Sequence, residues 1–294
     1  MKDQAEALRR LAGGREPSRK ARVIAVTSGK GGVGKTNLAV NLTISLARLG
    51  LRAGILDGDL GLANVDIVLG ITPEFNLAHV LYGEKRLDQI ILRGPEGISV
   101  FAGGSGVYEL ANLSQWLLQR FIRDISTLDA ALDVLILDTG AGISRNVMSF
   151  VLACDEVIVV TTPEVTAITD AYGMIKLIMS SNPSARVRIV VNMARDERQA
   201  EHVIHSLTTV VRQFLRVGVD LDLLGFVPVD PCVQMAVREQ RPLVISYPAS
   251  RAARNVGEIA RRLVQEEPVQ AGGGGIGGLF TRMAEALRRR RPAR

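Results

Sequence analysis

Short runs of Val, Ile and Leu alternate along this chain with longer stretches in which apolar residues return every three or four positions. The first pattern belongs to strands and the second to amphipathic helices, and their alternation predicts βα units stacked on a parallel sheet. Strands are expected at Val23–Thr27, Ala53–Asp57, Ile98–Ala102, Val134–Asp138, Val157–Thr161, Val187–Asn192 and Leu221–Val227. They are apolar at nearly every position, so both of their faces should be covered by helices. Helices are expected at Lys35–Leu49, Glu109–Thr127, Ser144–Leu152, Val165–Ser180, Asp196–Arg216 and Ser250–Gln265. The fold class that follows is α/β, a doubly wound, mostly parallel sheet. No internal repeat is visible.

Two appendages flank this body. In Met1–Ala12, Ala5, Leu8 and Ala12 share a helical face before Gly13, Gly14 and Pro17 interrupt the pattern. Near the other end, Gly272 to Gly275 read as a flexible hinge. Beyond it, at 100° per residue, Ile276, Leu279, Phe280, Met283 and Leu287 fall within an arc of about 100°. The expected division is 1–22 as an N-terminal segment and linker, 23–268 as the body, 269–275 as the hinge and 276–294 as an amphipathic helix.

The net charge of +6 changes meaning once it is divided. Residues 1–22 carry +4 and residues 276–294 carry +5, leaving −3 for everything between. A basic groove across the body is therefore not expected, and direct nucleic-acid binding is disfavoured. Arginine-rich flanks on a terminal amphipathic helix suit an interfacial membrane helix, with the apolar residues at the acyl boundary and Arg288 and Arg289 on anionic headgroups. One copy should bind weakly and reversibly, and two copies on a dimer should gain avidity. The two cysteines, Cys154 and Cys232, are 78 positions apart, which excludes a disulfide scaffold and a four-cysteine cluster. No signal peptide or membrane span is expected. His79, His202 and His205 show no ligand pattern, and Trp116 and Phe121 are expected in the core.

The chemistry is concentrated in Gly29-Lys30-Gly31-Gly32-Val33-Gly34-Lys35-Thr36, a G-x-x-x-x-G-K-[ST] string directly after a strand and before a helix that continues with Asn37. Glycines let backbone N–H groups close around phosphate oxygens, Lys35 supplies an ammonium, and the Thr36 hydroxyl is a magnesium ligand. At the C-terminal end of the second strand, Asp57 and Asp59 stand where open α/β sheets bind ligands. Leu135-Ile136-Leu137-Asp138 is an apolar strand ending in a carboxylate and a glycine-rich turn, suited to holding a metal near a terminal phosphate.

The loop, with its additional Lys30, resembles the deviant Walker A loop of the MinD/ParA family of dimerising ATPases. That resemblance implies a MinD-like P-loop NTPase that uses ATP and Mg2+ and forms an ATP-dependent homodimer, with Lys30 reaching the other subunit's phosphates. It implies that Asp59 positions the attacking water, that Asp57 belongs to the outer magnesium shell, and that Asn192 and the Pro228-Val229-Asp230 loop contact adenine. It also places Glu164 near the dimer face and Asp170 as a partner contact. Asp3-Gln4-Ala5-Glu6-Ala7-Leu8-Arg9 is similar to the D-Q-A-x-x-L-R activator element of FlhG-type flagellar regulators, also called FleN or YlxH. By that resemblance Asp3, Gln4, Ala5, Leu8 and Arg9 stimulate an FlhF-type GTPase. The resemblance further implies C-ring or flagellar transcription-regulator partners, and a cytoplasmic protein held reversibly on anionic lipids of the inner membrane. A MinD-type division-site ATPase and a ParA-type DNA-partitioning ATPase are the alternatives.

Overall fold

The computed structural model describes residues 20–59, 64–103, 110, 113–154, 156–183, 185–215, 221–266 and 274–289. Strand β1 (Arg22–Ser28) leads into helix α1 (Lys35–Arg48) and β2 (Ala53–Gly58). The short helices α2 (Val65–Leu69), α3 (Leu77–Leu81) and α4 (Leu87–Ile90) precede a hairpin of β3 (Leu92–Arg93) and β4 (Ser99–Ala102). Then come α5 (Gln115–Ser126), α6 (Leu128–Ala131), β5 (Val134–Ala141), α7 (Arg145–Val151), β6 (Glu156–Thr161) and α8 (Val165–Ser181). The chain continues through β7 (Arg186–Ala194), α9 (Glu197–Leu215), β8 (Asp222–Pro228), α10 (Pro231–Arg238), α11 (Leu243–Ser246), α12 (Arg251–Gln265) and α13 (Gly275–Arg289).

The eight strands form one sheet in the order β3-β4-β2-β5-β1-β6-β7-β8, parallel throughout except for the β3–β4 pair. All seven expected strands are present, each end within three residues of its expected position. Two-residue β3 is too short to leave a periodic signal, and so are the helices of four or five residues. Strand order reverses at β1, which lies between β5 and β6. The loop after β1 therefore opens at the switch point, where the flanking crossovers leave in opposite directions and expose a crevice. Helices α1 and α12 pack on one face of the sheet, around Leu42, Ile55, Ile136 and Ile259. Helices α5, α7, α8, α9 and α13 cover the other.

Helix starts follow local chemistry. Ser144 and Ser250 accept the N–H groups of Val147 and Ala253, capping α7 and α12. Helix α5 begins at Gln115 behind the Ser114 cap, later than the expected Glu109, which lies outside the described residues. Its buried face carries Leu118, Phe121 and Ile125. Trp116 falls off that stripe and is 67% exposed, which corrects its expected place in the core.

The last helix is docked on the body. Ile276, Leu279, Phe280 and Met283, the stripe expected at a membrane, are at most 1% exposed here and belong to the same core cluster as the sheet. Phe280 stacks edge-on against Phe121 at 5.2 Å between ring centres. Leu287 packs at the margin of that cluster. Arg282 Nε donates to the Ala153 carbonyl and Arg288 Nη2 to the Leu113 carbonyl, both at 2.8 Å, so Arg288 is not directed at headgroups here. An amphipathic stripe needs an apolar partner, and the chain's own body supplies it. The described hinge glycines Gly274 and Gly275 take φ of 86° and 69°, and within α13 a Cβ on Gly277 would lie 2.0 Å from Ser126 Oγ. Asp3, Gln4, Ala5, Leu8 and Arg9 lie outside the described residues, as does the Arg289 side chain. No described helix is long and apolar enough to cross a membrane.

Candidate nucleotide site

Gly34 ends the loop after β1 with φ 82°, the left-handed turn that lets α1 start abruptly at Lys35. A Cβ on Gly34 would also lie 2.3 Å from Asn192 Nδ2, so the backbone approaches that amide more closely than any side chain permits. At the loop's other end a Cβ on Gly29 would meet the Asp170 carbonyl oxygen at 2.2 Å. The expected partner contact Asp170 thus serves, through its backbone, as the wall against which the loop begins. Gly31 and Gly32 are exposed at the crest, and Val33 is buried beneath it.

The two lysines point in opposite directions. Lys35 is buried and places Nζ 2.7 Å from Asp138 Oδ1 and 3.4 Å from Thr36 Oγ1. Lys30 Nζ lies at the surface and donates to Glu164 Oε2 at 2.8 Å and Thr166 Oγ1 at 2.9 Å. Glu164 is where the sequence resemblance put an interface residue, and Thr166 had no sequence signal. Around them Ile143, Val165, Met193 and Val229 form an exposed apolar rim, Val165 at 79% exposure.

Asp138 closes the floor of the site at 0% exposure. Burial pushes its carboxyl upward, against the Lys35 ammonium and the Thr36 hydroxyl, which favour the charged form. Its Oδ2 is buried without a hydrogen-bond partner among the described residues, an oxygen suited to a further cation. Asp57 does different work: Oδ1 accepts the Asp59 N–H at 2.9 Å, and Oδ2 accepts those of Asn64 and Val65 at 3.1 and 3.2 Å. One carboxylate thereby ties both ends of the 59–64 loop. Burial raises its pKa to about 6, with those three N–H donors acting in the opposite direction and Asp138 adding to the rise. Asp59 stands beside them, 3.6 Å from where a Cβ on Gly140 would be.

Two of the expected adenine residues, Asn192 and Asp230, make contacts within the chain. Asn192 Nδ2 donates to the Val33 carbonyl at 2.8 Å and Oδ1 accepts the Met193 N–H at 2.9 Å, so this amide braces the phosphate loop. Met193, at φ 56°, is held in a left-handed conformation by that contact. Both oxygens of Asp230 cap helices, Oδ1 accepting from Cys232 N and Oδ2 from Ala252 N. Burial alone would raise this carboxyl, but these backbone donors win and hold it below the usual range. Pro228 is buried at the end of β8, and Val229 after it is 65% exposed. Asn41, absent from the sequence expectations, links Asn37 to α11: its Nδ2 donates to Asn37 O at 2.7 Å, and its Oδ1 accepts the Val244 N–H at 2.9 Å. A polar residue on the buried face of an apolar helix was the available signal.

His202 and His205 lie on α9, and no group of three or more His, Cys, Asp or Glu side chains placed to hold a metal occurs among the described residues.

The chain matches the ParA family, described as NUBPL iron-transfer P-loop NTPase, over residues 19–264. It is 42% identical to the antiactivator FleN of Pseudomonas aeruginosa, spanning 82% of this chain and 85% of that protein. It is 34% identical to the flagellum site-determining protein YlxH of Helicobacter pylori, spanning 83% and 82%. Among solved structures, the septum site-determining protein MinD complexed with Mg-ADP from Pyrococcus horikoshii superimposes with a TM-score of 0.66 at 26% identity, over 83% of this chain and 96% of that one.

Proposed function

The chain belongs to the ParA/MinD family of P-loop ATPases, and from that premise we propose that it is an ATP-driven dimerising switch that cycles on a membrane and regulates flagellar number or placement. The enzyme is an ATP hydrolase, as its family is. The observation that carries the switch reading is the opposed setting of two lysines on one loop, Lys35 inward on Asp138 and Lys30 outward at the apolar rim. The flagellar part rests on the 42% identity to FleN and the 34% identity to YlxH.

In this mechanism the N–H groups of Gly29 to Thr36 cradle the phosphates, and Lys35 turns from Asp138 to the outer phosphate oxygens. Thr36 and Asp138 would hold Mg2+, with Asp57 behind them, and the ion would neutralise phosphate charge. The hard oxygen donors and the unpartnered Asp138 Oδ2 fit it. Asp59 orients the attacking water. Lys30 leaves Glu164, an exposed ion pair worth little, and crosses to the other subunit's phosphates.

Two inactive variants test this arrangement together. If Lys30 acts across the interface, mixing Lys30→Ala and Asp59→Ala chains restores roughly a quarter of wild-type turnover, because half the dimers are mixed and one of their two sites is complete. No recovery would mean that Lys30 serves its own site.

The docked α13 is the closed state of the membrane tail in this reading. Body groove and lipid surface remove the same apolar stripe from water, at about 2 kcal/mol per large side chain, so arginine contacts and avidity tip the balance. The protein then resides in the cytoplasm and binds anionic lipid of the inner membrane when dimeric. Residues 1–22 would stimulate an FlhF-type GTPase, and a C-ring or transcriptional partner would receive the signal. Stimulation by a peptide of residues 1–22, lost on Asp3→Ala/Gln4→Ala, supports that assignment; an inert peptide leaves a MinD-like cycle without it. Iron transfer is disfavoured, since the two cysteines are 78 positions apart and Cys154 is buried.

A further inference from the structure

On the sheet face opposite α13, a cavity of about 240 Å3 opens between the end of α1 and α12. Leu49, Val244 and Ala253 make its apolar wall, and Arg48, Arg254 and Arg261 its rim. Three guanidinium groups converge here on a body whose net charge is −3. Arg48 is fixed by the Val244 carbonyl at 2.8 Å and pairs with Glu96, while Arg261 pairs with Glu258. Both ion pairs are exposed, so an incoming carboxylate can exchange with either at little cost. Arg254 is exposed and has no ion pair among the described residues.

The second observation is Gly257. It stands inside α12, where glycine costs about 1 kcal/mol relative to alanine. Nothing among the described residues requires it: an added Cβ would meet only the end of the Arg261 side chain, at 3.8 Å. The glycine contrasts with Gly225 on β8, where a Cβ would strike Ile259 at 2.6 Å. What Gly257 does is leave the cavity open.

We propose that this pocket docks an acidic segment of a partner protein, a carboxylate pairing with Arg254 while a neighbouring apolar side chain enters over Gly257. A nucleic-acid backbone would use the arginines but gain nothing from the apolar wall, so the cavity favours the peptide. Neither residue belongs to the nucleotide site, and the inference stands independently of the proposed flagellar role.

The test uses the full-length protein and a fluorescein-labelled peptide alternating Glu and Leu, followed by fluorescence anisotropy, with a labelled DNA duplex in parallel. Arg254→Glu reverses the unpaired charge, whereas Gly257→Leu fills the cavity and leaves every charge in place. The expected result is saturable peptide binding weakened about fivefold or more by each variant, with a melting temperature that is not lowered and an unchanged nucleotide affinity confirming the fold. Peptide binding that Gly257→Leu leaves intact would overturn the proposal. So would failure of the wild-type protein to bind the peptide, or tighter binding of DNA that only Arg254→Glu weakens.

Discussion

Lys35 and Asp138 make each other tolerable in a place where neither charge could stay alone. Removing the ammonium with Lys35→Met leaves a buried carboxylate unpaired, and should lower unfolding free energy by about 3 kcal/mol as well as abolish ATP binding. Equilibrium urea denaturation and nucleotide titration read the two effects, and unchanged stability would show that the pair is not a mutual requirement. Asp59→Ala should retain nucleotide while losing about a hundredfold or more in turnover, measured by single-turnover phosphate release. Asp129 offers a pH test away from the phosphates. Its Oδ1 accepts the Ile276 N–H at 2.8 Å and the Ala21 N–H at 3.3 Å. Burial raises its pKa above 3.8, with those N–H donors acting the other way. The native state therefore keeps the proton to higher pH than the unfolded chain, and the resulting stability is lost as pH rises through the folded pKa. The advantage of wild type over Asp129→Asn should shrink as pH rises above about 4 in parallel urea titrations. The sequence marks these carboxylates by position, but the division of labour depends on what reaches them: backbone N–H groups at Asp57 and Asp230, the Lys35 ammonium at Asp138.

At the scale of elements, α13 is the informative one. Its apolar stripe is legible from spacing alone, yet spacing does not say whether lipid or protein covers it. The answer lies in small contacts: Gly275 against Asp129, Gly277 against Ser126 and Phe280 against Phe121. Ser126 Oγ is held by the Ile122 carbonyl at 2.5 Å and has no easy retreat. Gly277→Ala should therefore lift the helix and increase sedimentation with anionic vesicles in the absence of ATP. Adding Ser126→Ala should recover part of the docking. Vesicle binding that responds to neither substitution would separate the groove from the membrane step. A helical Trp such as Trp116 poses the same problem, because a side chain at the margin of a stripe is assigned to core or solvent by neighbouring elements.

At the scale of the molecule, α13 runs from Asp129, where the chain enters β1, to α7, which begins just after the glycine turn that follows Asp138. A change at the phosphate edge can thus reach the tail through one packed helix. With ATP and Mg2+ present, Asp59→Ala chains should accumulate on anionic vesicles and Lys35→Met chains should not, as read by co-sedimentation; equal binding would uncouple nucleotide from the tail. Much of this organisation was written locally. Near-continuous apolar strands alternating with helical periods specify a covered parallel sheet. The G-x-x-x-x-G-K-T string specifies a phosphate loop, because only glycines permit that backbone and only its position between strand and helix gives it a function. Other properties required distant segments to meet. Lys30's pairing with Glu164, the brace from Asn192 to Val33, Asp230's contact with the start of α12 and the burial of α13 are contacts spanning tens to hundreds of residues. Periodicity states that a face must be buried and a motif states what a loop can bind. The particular partner depends on three-dimensional packing, where shape and hydrogen-bond geometry select among groups that are equivalent along the chain.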